Sequence, residues 1–248
     1  MTNHSEFYKQ VETYEQPVER HHVFVDAYQA HRKRFPGRAI DVLDVGCGEH
    51  ALLSYGIDPA DRYFGIDVKA DISVPLERYA SLDLDLDLDL DRDELREAWS
   101  GQLFDVVFCG EVIEHVFSPD RLLRQLASVM HDESLLVLST PNLAYWVNRI
   151  LLPLGLNPLF VENSSEAVLG RRFKALGQGN QTQGHLRLFT HRAMRDLLAR
   201  ERFRVVDARS VSVWRLPGDR LMARFFPHFG ADSIFFLQRP LVGKSKRA

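Results

Sequence analysis

The sequence has only two cysteines, Cys47 and Cys109, no excess of positive charge, and no apolar run approaching the ~20 residues that a membrane span needs. Two thiols cannot build a disulfide framework, which suits a reducing compartment. The opening MTNHSEFYKQ is polar and lacks the apolar core of a secretory signal. These absences lead us to expect a soluble, cytoplasmic chain with no membrane span. A formal net charge of -3 argues against a surface built for polyanions, and so against a nucleic-acid partner. Two local basic runs stand out, Arg171-Arg172-Lys174 and the closing GKSKRA, although such runs are usually solvated surface. What is present is enough to bury a core. The 248 residues are 45% hydrophobic and 26% charged, which fits one α/β domain with a small appended or inserted cap.

Residues 1–37 read as an N-terminal extension, helical near Pro17 to Arg34 and stopped by Pro36-Gly37. The remainder, 38–248, alternates short apolar runs with helical patterns. Strands are expected at Ile40–Val45, Tyr63–Val68, Phe104–Cys109, Leu135–Ser139, Val205–Trp214 and Ile234–Leu237. Between Phe104–Cys109 and Leu135–Ser139, Leu122, Leu123, Leu126 and Val129 recur at helical spacing over Pro119–Met130. A helix over Thr190–Arg200 opens on a threonine cap. Leu82–Leu90 alternates Leu and Asp, which as a strand gives one apolar and one acidic face. The pattern implies a Rossmann-like α/β fold: a doubly wound, mostly parallel seven-stranded sheet covered on both faces. Residues 144–183 are long for a connection and mix Ile150, Leu151, Leu152 and Leu154 with prolines and glycines, so they read as an inserted cap or lid.

The sharpest signal is Val42-Leu43-Asp44-Val45-Gly46-Cys47-Gly48-Glu49, a strand running into a glycine turn that should open a helix. Glycines there permit positive φ and close approach of a ligand to the backbone. Asp67 closes the next strand nineteen residues after Gly48, where an acid can accept both hydroxyls of a ribose. Dinucleotide sites set a pyrophosphate on the helix N-terminus. Here Asp44 and Glu49 place negative charge in and beside the turn, which suits a cationic ligand instead.

These motifs, VLDVGCGEH, FGID, FDVVFCGEVIEHV, LLVLSTPN and GHLRLFT, resemble in their order those of class I S-adenosylmethionine-dependent methyltransferases. The resemblance covers roughly residues 40–210 and implies S-adenosylmethionine as cofactor. It implies Asp44, Gly46, Cys47 and Gly48 around the methionine part, Asp67 on the ribose, and the Gly110-Glu111 strand end beside the cofactor. It places an acid after the third strand on the adenine amino group, either Asp83 or Asp85. The last glycine of the family's loop is His50 here. Cys47 and Cys109, at neighbouring strand ends, read as small packing residues.

Glu111, Glu114 and His115 follow the Phe104–Cys109 strand at i, i+3 and i+4, a spacing that shares one face of a helix. With His185 returning from beyond the cap, they form a candidate site for magnesium or manganese. The Glu-x-x-Glu-His pattern, Thr-Pro-Asn and the later histidine are similar to ubiquinone-pathway O-methyltransferases and to small-RNA 2′-O-methyltransferases, and both resemblances imply a divalent metal. Two other readings stand beside it: His115 or His185 as general base next to Glu111, and a purely structural role for the set. The expected function is O-methylation of a small hydroxylated acceptor, such as a sugar or lipid-linked intermediate. The alternatives are an RNA 2′-O-methyltransferase and an S-adenosylmethionine-binding protein without turnover.

Overall fold

A computed structural model describes residues 17–69, 77–84, 93–213, 216 and 218–239. Seven strands form one sheet in the order β3-β2-β1-β4-β5-β7-β6: β1 Asp41–Val45, β2 Arg62–Asp67, β3 Arg78–Ser81, β4 Phe104–Gly110, β5 Met130–Pro141, β6 Arg204–Val211 and β7 Asp232–Gln238. Only β7 runs against its neighbours; its pairings with β5 and β6 are antiparallel, while the others are parallel. The sheet is doubly wound and mostly parallel, as the alternation of short apolar runs with helices requires. The order reverses between β1 and β4, and the carboxyl ends of those strands open the crevice where such sheets bind ligands.

β1 is buried along its whole length, and β4 along all but its last residue, because both are covered on two faces. Leu43, Val107 and Cys109 point to one layer, against Leu95 and Trp99 near α2 (Glu94–Ala98), Leu122, Leu123 and Leu126 of α3 (Pro119–Ser128), and Met194 and Leu198 of α5 (His191–Arg200). Val42, Val106 and Phe108 point to the other, against Phe24, Ala27 and Tyr28 of α1 (Glu19–Arg32). The helix of the N-terminal stretch thus covers one face of the sheet; Phe24 and Tyr28 are each 1% exposed.

Several expectations need correction. The third strand lies at Arg78–Ser81, ahead of the Leu-Asp run; Leu82 and Leu84 follow it as irregular chain packed on the core edge, and residues 85–92 lie outside the described residues. β6 ends at Val211, short of Trp214, itself outside the described residues. The glycine turn opens not an α-helix but a single 3-10 segment, Leu52–Gly56, because Ala51 adopts a left-handed φ of 39° that interrupts helical geometry. The Thr190 cap does form, its hydroxyl accepting from the Ala193 N–H at 3.1 Å. The 144–183 segment holds α4 (Trp146–Leu151) and two 3-10 turns around a small core of Tyr145, Val147, Leu151, Leu159 and Ala231. Arg171 is buried inside that segment and donates to the carbonyls of Pro158, Val161 and Leu176, so it contributes nothing to a basic surface. The GKSKRA tail lies outside the described residues.

Candidate active site

At the β1 end, Gly46 takes φ 76° and donates its N–H to the Ile66 carbonyl at 2.8 Å; the Cys47 N–H reaches the same oxygen at 3.2 Å. A side chain on Gly46 would collide with Val112, so the turn needs glycine for space as well as for φ. Asp67 at the end of β2 accepts the Gly48 N–H at 2.8 Å on one oxygen and the Lys69 N–H at 3.1 Å on the other. Each carboxylate oxygen keeps a second lone pair for a ligand. Asp83 sits two residues beyond β3, half-buried. Asp85 lies outside the described residues.

Asp44 is buried in β1 and accepts the Tyr63 hydroxyl. Burial pushes its carboxyl up to about 7, the Tyr63 hydrogen bond works against that rise, and the negative charge of Asp67 adds to it. Cys47 and Cys109 are buried free thiols, and burial drives both well above the ordinary thiol range. Buried thiols held in their neutral form suit the packing role.

The reaction-side residues do not share a helix. Residues 111–118 form turns, and helix α3 begins only at Pro119, where the Ser118 hydroxyl accepts from the Arg121 N–H. Glu111 takes φ 57°, and the Glu114 carbonyl, which a helix would direct to a later N–H, instead accepts the Leu186 and Arg187 N–H groups at 3.0 Å each. The tertiary contact overrides the i, i+3, i+4 spacing, yet it brings the expected partner close. One donor atom from each of Glu114, His115 and His185 lies within 4.8 Å of the others, and the two rings are 4.9 Å apart.

Glu111 is not part of that cluster. Its Oε1 accepts the Ser139 hydroxyl at 2.8 Å, and its Oε2 lies 3.6 Å from Arg20 of α1, which also bonds Asp232 at 3.3 Å. Glu114 is fully buried; Thr140 donates to its Oε2 at 3.0 Å, while its Oε1 has no hydrogen-bond partner and lies 3.8 Å from His115 Nε2. Burial first, and the Glu111 charge second, hold the Glu114 carboxyl well above the carboxylate range. His115 Nδ1 meets the Gly184 carbonyl at 3.2 Å and His185 Nδ1 meets the Phe160 carbonyl at 2.9 Å. A carbonyl only accepts, so in the neutral rings each Nδ1 carries the proton and each Nε2 keeps its lone pair. That tautomer leaves Nε2 able to bind a metal.

Ser139 and Thr140, which orient the two glutamates, were visible in the sequence only as part of the LLVLSTPN run. Arg20, Tyr63 and Asp232 carried no signal there, because each acts through a partner far along the chain.

Comparison with known proteins gives a consistent result. A family model described as a methyltransferase domain matches residues 20–208. The ubiquinone biosynthesis O-methyltransferase of Glaesserella parasuis serovar 5 (strain SH0165) is 28% identical over 106 residues, 41% of this chain and 45% of that protein. The chain thus aligns with less than half the length of that curated relative. Among solved structures, the N-methyltransferase NodS of Bradyrhizobium japonicum WM9, in complex with S-adenosylhomocysteine, superposes with a TM-score of 0.55 at 13% identity, over 95% of this chain and 96% of that one. An S-adenosylmethionine-dependent methyltransferase from Clostridium acetobutylicum ATCC 824 superposes with a TM-score of 0.54 at 11% identity, over 89% and 92%. At those identities the superpositions show the shared fold.

Proposed function

The chain belongs to the class I S-adenosylmethionine-dependent methyltransferases, and from that premise we propose that it methylates a hydroxyl oxygen of a small acceptor beside a divalent cation held by Glu114, His115 and His185. The observation that carries this reading is the buried Glu114 Oε1, without a hydrogen-bond partner and facing His115 Nε2. A cation among these three groups would take the place of the proton that burial favours on Glu114. With Glu111 drawn to Ser139 and Arg20, two imidazoles and one carboxylate suit manganese better than magnesium. A cation there would supply Lewis-acid stabilisation to an acceptor hydroxyl as it loses its proton. Thr140 orients the Glu114 carboxylate, and the Phe160 and Gly184 carbonyls fix the imidazoles. Dialysis against a chelator is expected to stop methyl transfer from S-adenosylmethionine to hydroxylated acceptors, and manganese to restore it. Turnover indifferent to the chelator would overturn this reading. A pH–rate limb lost in His115→Ala or His185→Ala would then favour a general base.

S-Adenosylmethionine supplies the methyl group. In our reading Asp67 accepts the ribose hydroxyls, the Gly46–Gly48 backbone and Cys47 line the methionine part, Gly110 and Glu111 flank the donor, and Asp83 reaches the adenine amino group. Asp44 offers its charge to the cationic end. With its carboxyl at about 7, Asp44 is mostly neutral at pH 6 and mostly ionised at pH 8, and only the ionised form attracts a cation. Cofactor affinity is therefore expected to rise roughly tenfold from pH 6 to 8, and Asp44→Asn to flatten the profile. The effect on the fold has the opposite sign. A folded value raised above the ordinary 3.8 favours the neutral form, a contribution complete below pH 3.8 and lost as pH rises through about 7. Calorimetry showing pH-independent affinity in the native chain would remove Asp44 from the site.

A further inference from the structure

Glu162 lies inside the 144–183 segment, outside every motif that carries the family resemblance. Its carboxylate accepts three successive backbone N–H groups: Gln183 at 2.6 Å on Oε1, and Gly184 at 2.7 Å and His185 at 3.1 Å on Oε2. Gly184 takes φ 85°, the left-handed turn that lets neighbouring N–H groups converge on one anion. The Glu162 side chain is 9% exposed, and its Oε1 also lies 3.8 Å from His185 Nδ1. The loop it gathers carries the restraint on one imidazole and the other imidazole itself. The Gly184 carbonyl holds His115 Nδ1, and His185 is itself a loop residue whose Nδ1 is held by the Phe160 carbonyl, two residues before Glu162.

We infer that Glu162 is a positioning residue for the Glu114–His115–His185 site, setting the tautomer and direction of both imidazoles from within the inserted segment. The inference rests on the cation reading for its metal readout, but its geometry is independent of that reading. The carboxylate suits this task for a reason of charge. Its two oxygens accept several N–H groups at once, and charge-assisted bonds of this kind are short and strong. Glu162→Gln keeps the size but turns one acceptor into an NH2 facing N–H groups, so the loop must shift. Partners one shell out from metal ligands typically change metal affinity ten- to a hundredfold when lost.

Manganese binding, S-adenosylhomocysteine binding and imidazole 15N spectra of the native chain and E162Q test this. The inference expects manganese affinity to fall at least tenfold in E162Q, cofactor-product affinity to stay within twofold, and the Nδ1-protonated signatures of His115 and His185 to give way to mixed tautomers. Equal manganese affinity with unchanged spectra would overturn it. If the native chain binds no manganese, the cation reading alone fails, and the spectra decide: unchanged tautomers in E162Q overturn the positioning role, mixed ones uphold it. If E162Q does not fold, Glu162→Asp replaces it. The aspartate keeps the charge but falls one methylene short, and native manganese affinity and tautomers in that variant would likewise overturn the role.

Discussion

Glu114→Gln is expected to lower methyl transfer by a factor on the order of 10² to 10³, equivalent to about 2.7–4 kcal/mol in the barrier, while leaving cofactor binding unchanged. The substitution keeps the volume of a fully buried side chain and its bond from Thr140. It removes the negative charge that a cation requires. The new amide NH2, in the place of Oε1, can donate toward His115 Nε2, so the buried group gains a partner where the carboxylate had none. The native carboxyl sits above its ordinary range chiefly through burial, so the fold does not depend on its charge. Thermal stability should therefore hold steady or rise. Radiolabelled methyl incorporation, with calorimetry of S-adenosylhomocysteine on the same samples, separates the two effects. Activity kept above a third of the native level would remove Glu114 from the chemistry.

Asp67→Ala should act on the other half of the site, weakening cofactor binding by ten- to a hundredfold and changing turnover at saturation little. Two ribose hydroxyls on one carboxylate make charge-assisted bonds of about 1.5–3 kcal/mol each, and part of that loss is recovered by water entering the gap. The change also releases the Gly48 and Lys69 N–H groups, so the turn between β1 and the 3-10 segment loosens just where the methionine part would lie. Asp67 ends an interior strand whose burial does not rest on this side chain, and the melting temperature should move by only a few degrees. Unchanged affinity would place the nucleoside elsewhere.

The parts of this molecule legible in its sequence are those set by local pattern. Val42–Gly48, Phe104–Cys109 and Leu135–Ser139 are apolar runs ending in small or polar residues, and each is a central strand ending at the crevice. Spacing alone places Asp67 at the end of β2, within reach of the Gly48 N–H, because the unit from β1 to β2 has little freedom of length. Periodicity misled where a distant contact outweighed it. Glu111–His115 kept helical spacing without a helix because the Glu114 carbonyl is taken by Leu186 and Arg187, whereas Arg78–Ser81, a four-residue edge strand, has no apolar run to mark it. Glu162 could not have been singled out from the sequence at all. Its meaning lies in three N–H groups twenty-one to twenty-three residues further on, and a lone glutamate between an apolar run and a polar one looks like surface.

The antiparallel β7 is made after β6 but lies between β6 and β5. During synthesis β6 therefore emerges before the strand that joins it to the rest of the molecule. Until 232–238 follow, the Leu136–Ser139 edge of β5 stands open, a stretch of unpaired apolar backbone of the kind that recruits other chains. The vulnerable moment in this protein's life is thus set by the order of its strands, and it falls while the growing chain still waits for the strand that closes its sheet.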